Sequence, residues 1–286
     1  MNLELIKTQL HNKTFTKSNN FTNNFYQDLN INQTKIINVL LFIFSSYKNY
    51  YKNDSKNLDN IFTIMKEKGT FEIEYKRLLE FLNTTYTNRH YNLQNLKNEL
   101  EEIRKKSLKY IKIENDIKRE RFTSFILNFE IVSKNEDISI NTSRIRVCID
   151  NELYEDIFNY NCVNGYNLYS IQLTKLQSKM SICLYELLEK FLKTKYIEKT
   201  RETKKIKDKN LKIKYYKLEE INILLNVNYK YLSQILIDIK KQYENIKKEN
   251  LLDLEDRDFQ FSIENKLLKI ELKTDPLSLR DVDFFK

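Results

Sequence analysis

A chain of 286 residues is long enough for two modest domains, each burying its own core. A formal charge of +9 suits a polyanionic partner, while three cysteines with no CxxC spacing indicate neither a disulfide framework nor a zinc site. The cysteine pattern makes a reducing cytoplasm the expected setting, and the longest apolar run, residues 36–44, broken by Asn38, too short to span a bilayer and too far from Met1 to be a secretion signal, reads as a buried core helix.

Two Gly, one Pro and no Ala or Trp, against abundant Asn, Lys, Ile, Tyr and Phe, look like an AT-rich coding bias. Asparagine abundance therefore counts little toward function. The excess positive charge is concentrated: residues 193–217 hold eleven Lys or Arg against three Asp or Glu.

In chain order, residues 1–30 form a polar arm without sustained periodicity. Asn32 to Tyr47 is apolar almost all round, as a central core helix requires. A short strand at Phe71 to Ile73 feeds a helix carrying Leu78, Leu79 and Leu82, and a turn at Asn83 to Asn88 follows. The next helix, Tyr91 to about Lys106, puts Leu93, Leu96, Leu100 and Ile103 on one face and Tyr91, Gln94, Asn95 and Asn98 on the other. Its second half carries Glu99, Glu101 and Glu102, which phosphates would repel, so only the N-terminal half suits a groove. Lys109 to Ile113 and Phe122 to Val132 alternate as strands around a charged turn at Asp116 to Arg121, with Lys118, Arg119 and Arg121 at its tip. Ile138 to Ile140 and Arg144 to Ile149 extend the sheet, and Asn151 to Phe158 forms a short helix.

The polar link Asn159 to Asn167 predicts the domain boundary. Ser178 to Leu192 is the best-formed helix, with Met180, Cys183, Leu184, Leu187, Leu188 and Phe191 in one stripe. After the basic segment, Ile213 to Tyr216 is a strand, Lys217 to Leu224 a short helix and Tyr229 to about Lys248 a long one. In the long helix Leu232, Ile235, Leu236, Ile239, Tyr243 and Ile246 share one face, whereas Lys230, Gln234, Ile237 and Lys241 point the other way. Phe259, Phe261 and Ile263, then Leu268, Ile270 and Leu272, alternate about a turn at Glu264 to Lys266, which reads as a hairpin. Residues from Pro276 onward read as a tail.

Helix, turn, helix and hairpin make a winged helix-turn-helix, which offers a helix to the major groove and a hairpin to the flanking backbone. The order of elements repeats, so the expected fold is α+β with two tandem winged helix-turn-helix domains: an arm at 1–30, domains at 31–163 and 164–274, and a tail at 275–286.

The segment Leu176 to Leu188, LQSKMSICLYELL, resembles the opening of the second domain in the iteron-binding replication initiators of theta-replicating bacterial plasmids. The Leu218 to Leu225 helix, Tyr229 ahead of the long helix, and a hairpin ending at Leu268 to Leu272 add to that resemblance. It implies two winged-helix domains that bind origin repeats in double-stranded DNA as a monomer, a dimer form acting at an operator, and contacts with the host initiator and replicative helicase. Ile237 in mid-face, where a basic residue is more usual, and the long basic connection depart from the pattern.

Glutamine and asparagine pair bidentately with adenine in the major groove, so Gln234, Gln94, Asn95 and Asn98 would favour A·T positions. Lys230, Lys240 and Lys241 suit phosphates, and Ser233 and Tyr229 neutral hydrogen bonds to the DNA backbone. Ser178 and Lys179 at a helix start suit a phosphate or, equally, an ordinary cap. Arg257, Lys266 and Lys269 belong to the second wing. For every one of these the bland alternative is solvated surface.

His11 and His90 are unpaired, Gly69 and Gly165 make no phosphate-cradling loop, and no carboxylates cluster at metal-ligand spacing. No catalysis, cofactor or metal is therefore expected. The alternatives to an initiator are a winged-helix repressor without a replication role and a metal-dependent nicking enzyme.

Overall fold

The computed structural model describes residues 14–18, 28–51, 69–84, 92–114, 117–132, 143–150, 166–193, 212–254 and 257–274. They divide into two compact units, one ending at Gln177 and the other starting at Ser178. The boundary expected at 163/164 thus moves to 177/178. The cause is a non-local pairing: β7 (Tyr166–Ser170) lies antiparallel to β1 (Thr14–Ser18), which also gives part of the expected arm a place in the first unit's sheet structure. A 3-10 turn at Ile171–Lys175 then buries Ile171 and Leu173. Within it, the Thr174 hydroxyl donates to the Phe81 carbonyl at 3.0 Å.

The first unit is built around α1 (Ile31–Tyr51), whose Ile36, Ile37, Val39, Leu40 and Leu41 are all buried, as an apolar circumference demands. Then come β2 (Thr70–Glu74), α2 (Tyr75–Phe81) and α3 (Leu93–Lys105). Asn92 caps α3, its Oδ1 accepting from the Asn95 N–H at 2.7 Å, and Leu96, Leu100 and Ile103 are buried as the periodicity requires. At the far end Gln33 holds α3 to the start of α1, donating to Glu99 at 2.8 Å and accepting from Lys106 at 2.7 Å.

The strands that follow differ from expectation. β3 (Ser107–Glu114) and β4 (Ile117–Ser124) form a separate two-stranded antiparallel ribbon in which Glu114 pairs with Ile117. Lys118, Arg119 and Arg121 therefore lie within β4, not at a hairpin tip, because both strands run longer than the local pattern implies. β5 (Ile126–Val132) and β6 (Arg144–Ile149) belong instead to a three-stranded sheet ordered β2-β6-β5. Across it Glu72, buried, meets Arg146 at 3.0 Å and Arg144 at 3.4 Å, and Arg146 reaches Glu130 at 2.9 Å.

The second unit opens with α4 (Lys179–Lys193), where Ile182, Cys183, Leu184, Leu188 and Phe191 are buried. β8 (Lys212–Tyr216), α5 (Leu218–Leu225), α6 (Leu232–Lys248), β9 (Arg257–Glu264) and β10 (Leu267–Thr274) follow, with sheet order β8-β10-β9. Helix, strand, helix, helix, strand, strand, with the last strand central, thus runs through both units, the first adding the β3-β4 ribbon, the β1-β7 pair and the 3-10 turn.

The Ile138 to Ile140 strand, the Asn151 to Phe158 helix, most of the basic segment, the tail, Tyr91, His11 and His90 lie outside the described residues. No helix among the described residues is long and apolar enough to cross a membrane.

Candidate nucleic-acid interface

In the second unit α6 carries the candidate interface, and its aim is set by what anchors its other face. Ile235, Ile239, Tyr243 and Ile246 are buried, with Leu232 and Leu236 half-buried at the edge of that stripe. Tyr243 joins the helix to the wing: its ring packs edge-on against Phe259 and Phe261, with centroids 6.0 and 5.2 Å away. Its hydroxyl donates to Asp258 and accepts from the Phe259 N–H at 3.2 Å. Burial first, then the Asp258 carboxylate, push the Tyr243 phenol well above its ordinary pKa.

The solvent side of α6 presents Ser233, Gln234, Ile237, Lys240 and Lys241, all exposed, and exposed Lys230 stands just before it. Of these, Lys230, Gln234, Ile237 and Lys241 are the residues that the spacing placed opposite the apolar face. The helix starts at Leu232, later than expected, so Tyr229 and Lys230 belong to the turn. Tyr231, at the cap position, makes no side-chain cap bond, so it offers no hydroxyl or carboxylate in place of a phosphate at the first-turn N–H groups.

The turn between α5 and α6 is held by a residue that sequence reasoning missed. Asn222 Nδ2 donates to the Tyr229 carbonyl at 2.9 Å, and its Oδ1 accepts from the Tyr229 N–H at 3.1 Å. The Tyr229 hydroxyl donates to Asp238 on α6, and that bond, with lesser help from burial, raises its pKa to about 12. Tyr229 is therefore a positioning residue whose proton is committed inside the unit, not a donor to the DNA backbone. An Asn in a helix C-terminal turn facing a tyrosine peptide has no sequence signature of its own.

Ser178 resolves toward the cap reading. Its Oγ accepts from the Ser181 N–H at 3.0 Å and donates to Gln242 Oε1 at 2.9 Å, tying the start of α4 to α6. The neighbouring Lys179 is half-buried. On the wing, β9 and β10 meet in a two-residue turn, Asn265 and Lys266, at φ 50° and 61°. Lys266 is exposed at this tip, as expected, whereas Lys269 is turned into the sheet, 2.9 Å from Glu264 and 3.2 Å from Glu271, and so is spent on carboxylates. Arg257 is half-buried at the start of β9, its Nε donating to the Leu254 carbonyl at 3.3 Å.

In the first unit α3 is the corresponding helix. Gln94 and Asn98 are exposed one turn apart, and Gln94 Nε2 donates to Asn98 Oδ1 at 3.0 Å, so the two amides act as a pair. Asn95 is half-buried, its N–H spent on the Asn92 cap. The acidic half carries Glu101 paired with Arg104 at 2.7 Å and Glu102 with Lys105 at 3.1 Å. The guanidinium of Arg104 holds Glu101 below the usual carboxylate range, so this carboxylate stays ionised and is balanced by the cation beside it.

No curated protein matches the chain. Among solved structures, the crystal structure of Pi initiator protein in complex with iteron DNA is similar over 93% of this chain and 98% of that one, at TM-score 0.60 and 14% identity. That likeness concerns the fold. The family described as "Initiator Replication protein, WH1" matches residues 14–189, a span that takes in the first unit and the Leu176 to Leu188 segment. Because the match covers more than half of the 286 residues and its helices and strands stand in winged-helix order, the chain belongs to the initiator replication protein family.

Proposed function

We propose that this protein is a sequence-specific, non-enzymatic plasmid replication initiator made of two tandem winged helix-turn-helix domains, ending near residues 177 and 274. In this reading it binds direct repeats at its origin, helps open the duplex and recruits the host initiator and replicative helicase. A dimer form represses its own gene, and the protein works in the cytoplasm without metal or cofactor.

The observation that carries the reading is the division of α6. One face is locked into the wing sheet through Tyr243, and the other holds Gln234 among exposed lysines. A helix so divided can lie in a major groove, with amide groups on bases and ammonium groups on phosphates. The Pi initiator protein, similar in fold, has a crystal structure in complex with iteron DNA, and the same mode is proposed here. The paired amides of Gln94 and Asn98 give the first unit a second, weaker A·T-reading face.

A plasmid-maintenance assay tests the proposal. A plasmid carrying the flanking origin but lacking this gene should fail to replicate, and supplying the protein in trans should restore it. Replication without the protein would refute the initiator reading in favour of a repressor. Strand scission that needs a divalent metal and vanishes on changing one tyrosine would instead assign a nicking enzyme.

A further inference from the structure

Ile237 is 68% exposed, the most exposed large apolar side chain among the described residues. Its neighbours one turn away on the helix surface are Ser233 and Gln234 on one side and Lys240 and Lys241 on the other, all exposed and all polar or basic. The result is a single branched aliphatic group ringed by hydrogen-bonding and cationic side chains. A β-branched residue is a poorer helix former than the straight-chain residues around it, and solvent exposure returns nothing for that cost. One side chain is also far smaller than the contiguous apolar area that a protein partner covers.

We infer that Ile237 packs against the C5 methyl of thymine in the major groove, the one apolar group that base edges present there. The inference rests on the DNA-reading role proposed for α6 and names what that face reads. A helical rise of roughly 1.5 Å per residue puts Gln234 and Ile237 about 4.5 Å apart along the axis, close to a base step of ~3.4 Å. Gln234 on an adenine and Ile237 on a thymine one or two positions away are therefore compatible. The site contains one position where the methyl itself, not base pairing, is recognised.

The test uses the full chain and a pool of randomised duplexes, from which the preferred site is selected and then rebuilt with deoxyuridine replacing thymidine at one position at a time. Deoxyuridine keeps the pairing and removes only the methyl. Wild-type protein should lose about fourfold in affinity at one position, the worth of one buried carbon. Ile237→Ala should bind the thymidine site more weakly and show no further loss with deoxyuridine there, while Ile237→Val retains most of the effect. The side chain is exposed, so both variants should fold with the parent's circular dichroism, and Ile237→Ala should melt no lower than the parent. Enrichment of a site that tolerates deoxyuridine everywhere, or an equal penalty in Ile237→Ala, would overturn the inference alone. Failure to enrich any sequence would overturn it together with the DNA-reading role.

Discussion

The side-chain amide of Asn222 clasps the backbone of Tyr229 from both sides, standing in for a missing strand partner across the turn of the helix-turn-helix. Two half-buried peptide groups are satisfied by one side chain, so the aim of α6 depends on it. Asn222→Ala should cost about 1–3 kcal/mol in urea denaturation and should weaken DNA binding beyond that loss of folded protein. Asn222→Asp keeps the acceptor and loses the donor, and should fall between. A variant as stable as the parent would show that the clasp carries no energy.

Ser178 separates two readings of the same residue. As a cap and tie to Gln242, its replacement by Ala should cost about 1 kcal/mol of stability. The slope of log affinity against log salt should stay unchanged. A slope reduced by about one unit would restore a phosphate contact.

Tyr243 predicts an alkaline weakness. Its phenol is held protonated in the folded state, above its unfolded value near 10, so the unfolded chain binds fewer protons once the pH passes that value. The associated stability is complete below about pH 10 and is lost as pH rises toward the folded value. Tyr243→Phe should be less stable at neutral pH by about 1–2 kcal/mol and decline less steeply above pH 10. Denaturation curves at pH 8, 10 and 11 would measure this.

Lys266 sits at φ 61°, a backbone region that suits glycine, in a turn with the positive-φ pattern of type I′. Lys266→Gly should stabilise the protein by about 0.5–1 kcal/mol while weakening DNA binding and lowering the salt slope by about one unit. Thermal melts and binding assays moving in opposite directions would separate fold from contact at this tip.

Lys241 and Gln234 share the exposed side of α6 and should fail differently. Lys241→Ala should weaken binding to specific and random duplexes alike, as for one lost phosphate contact. Gln234→Ala should cost about 1–3 kcal/mol on the correct site and relax preference at one base position. Equal weakening on both duplexes would remove Gln234 from base reading.

Asparagine shows where composition misleads. In a chain with two glycines, the left-handed positions that end α2, α5 and α6 fall to Asn83, Asn226 and Asn250, at φ 52°, 52° and 50°. Thr84, Val227 and Leu251 each then donate back to the carbonyl five residues earlier, closing the same C-terminal motif three times. Asn tolerates that conformation better than other non-glycine residues. An abundance that looks like coding bias thus also supplies the stops of three helices.

What the amino-acid order determined by itself is local. The buried faces of α3 and α6, the β9-β10 hairpin and the polar side of α6 all follow from periods of 3.6 and 2, which neighbouring residues alone define. Helix α4, by contrast, is buried on nearly every side and leaves Met180 and Leu187 of its expected stripe only half-buried. The remainder belonged to tertiary structure. The pairing of Phe15 with Tyr169 moved the boundary to residue 177, β6 took the central place in the first unit's sheet, and Arg119 and Arg121 went into a ribbon strand. Such contacts depend on which distant surfaces bury together, and no window along the chain carries that information.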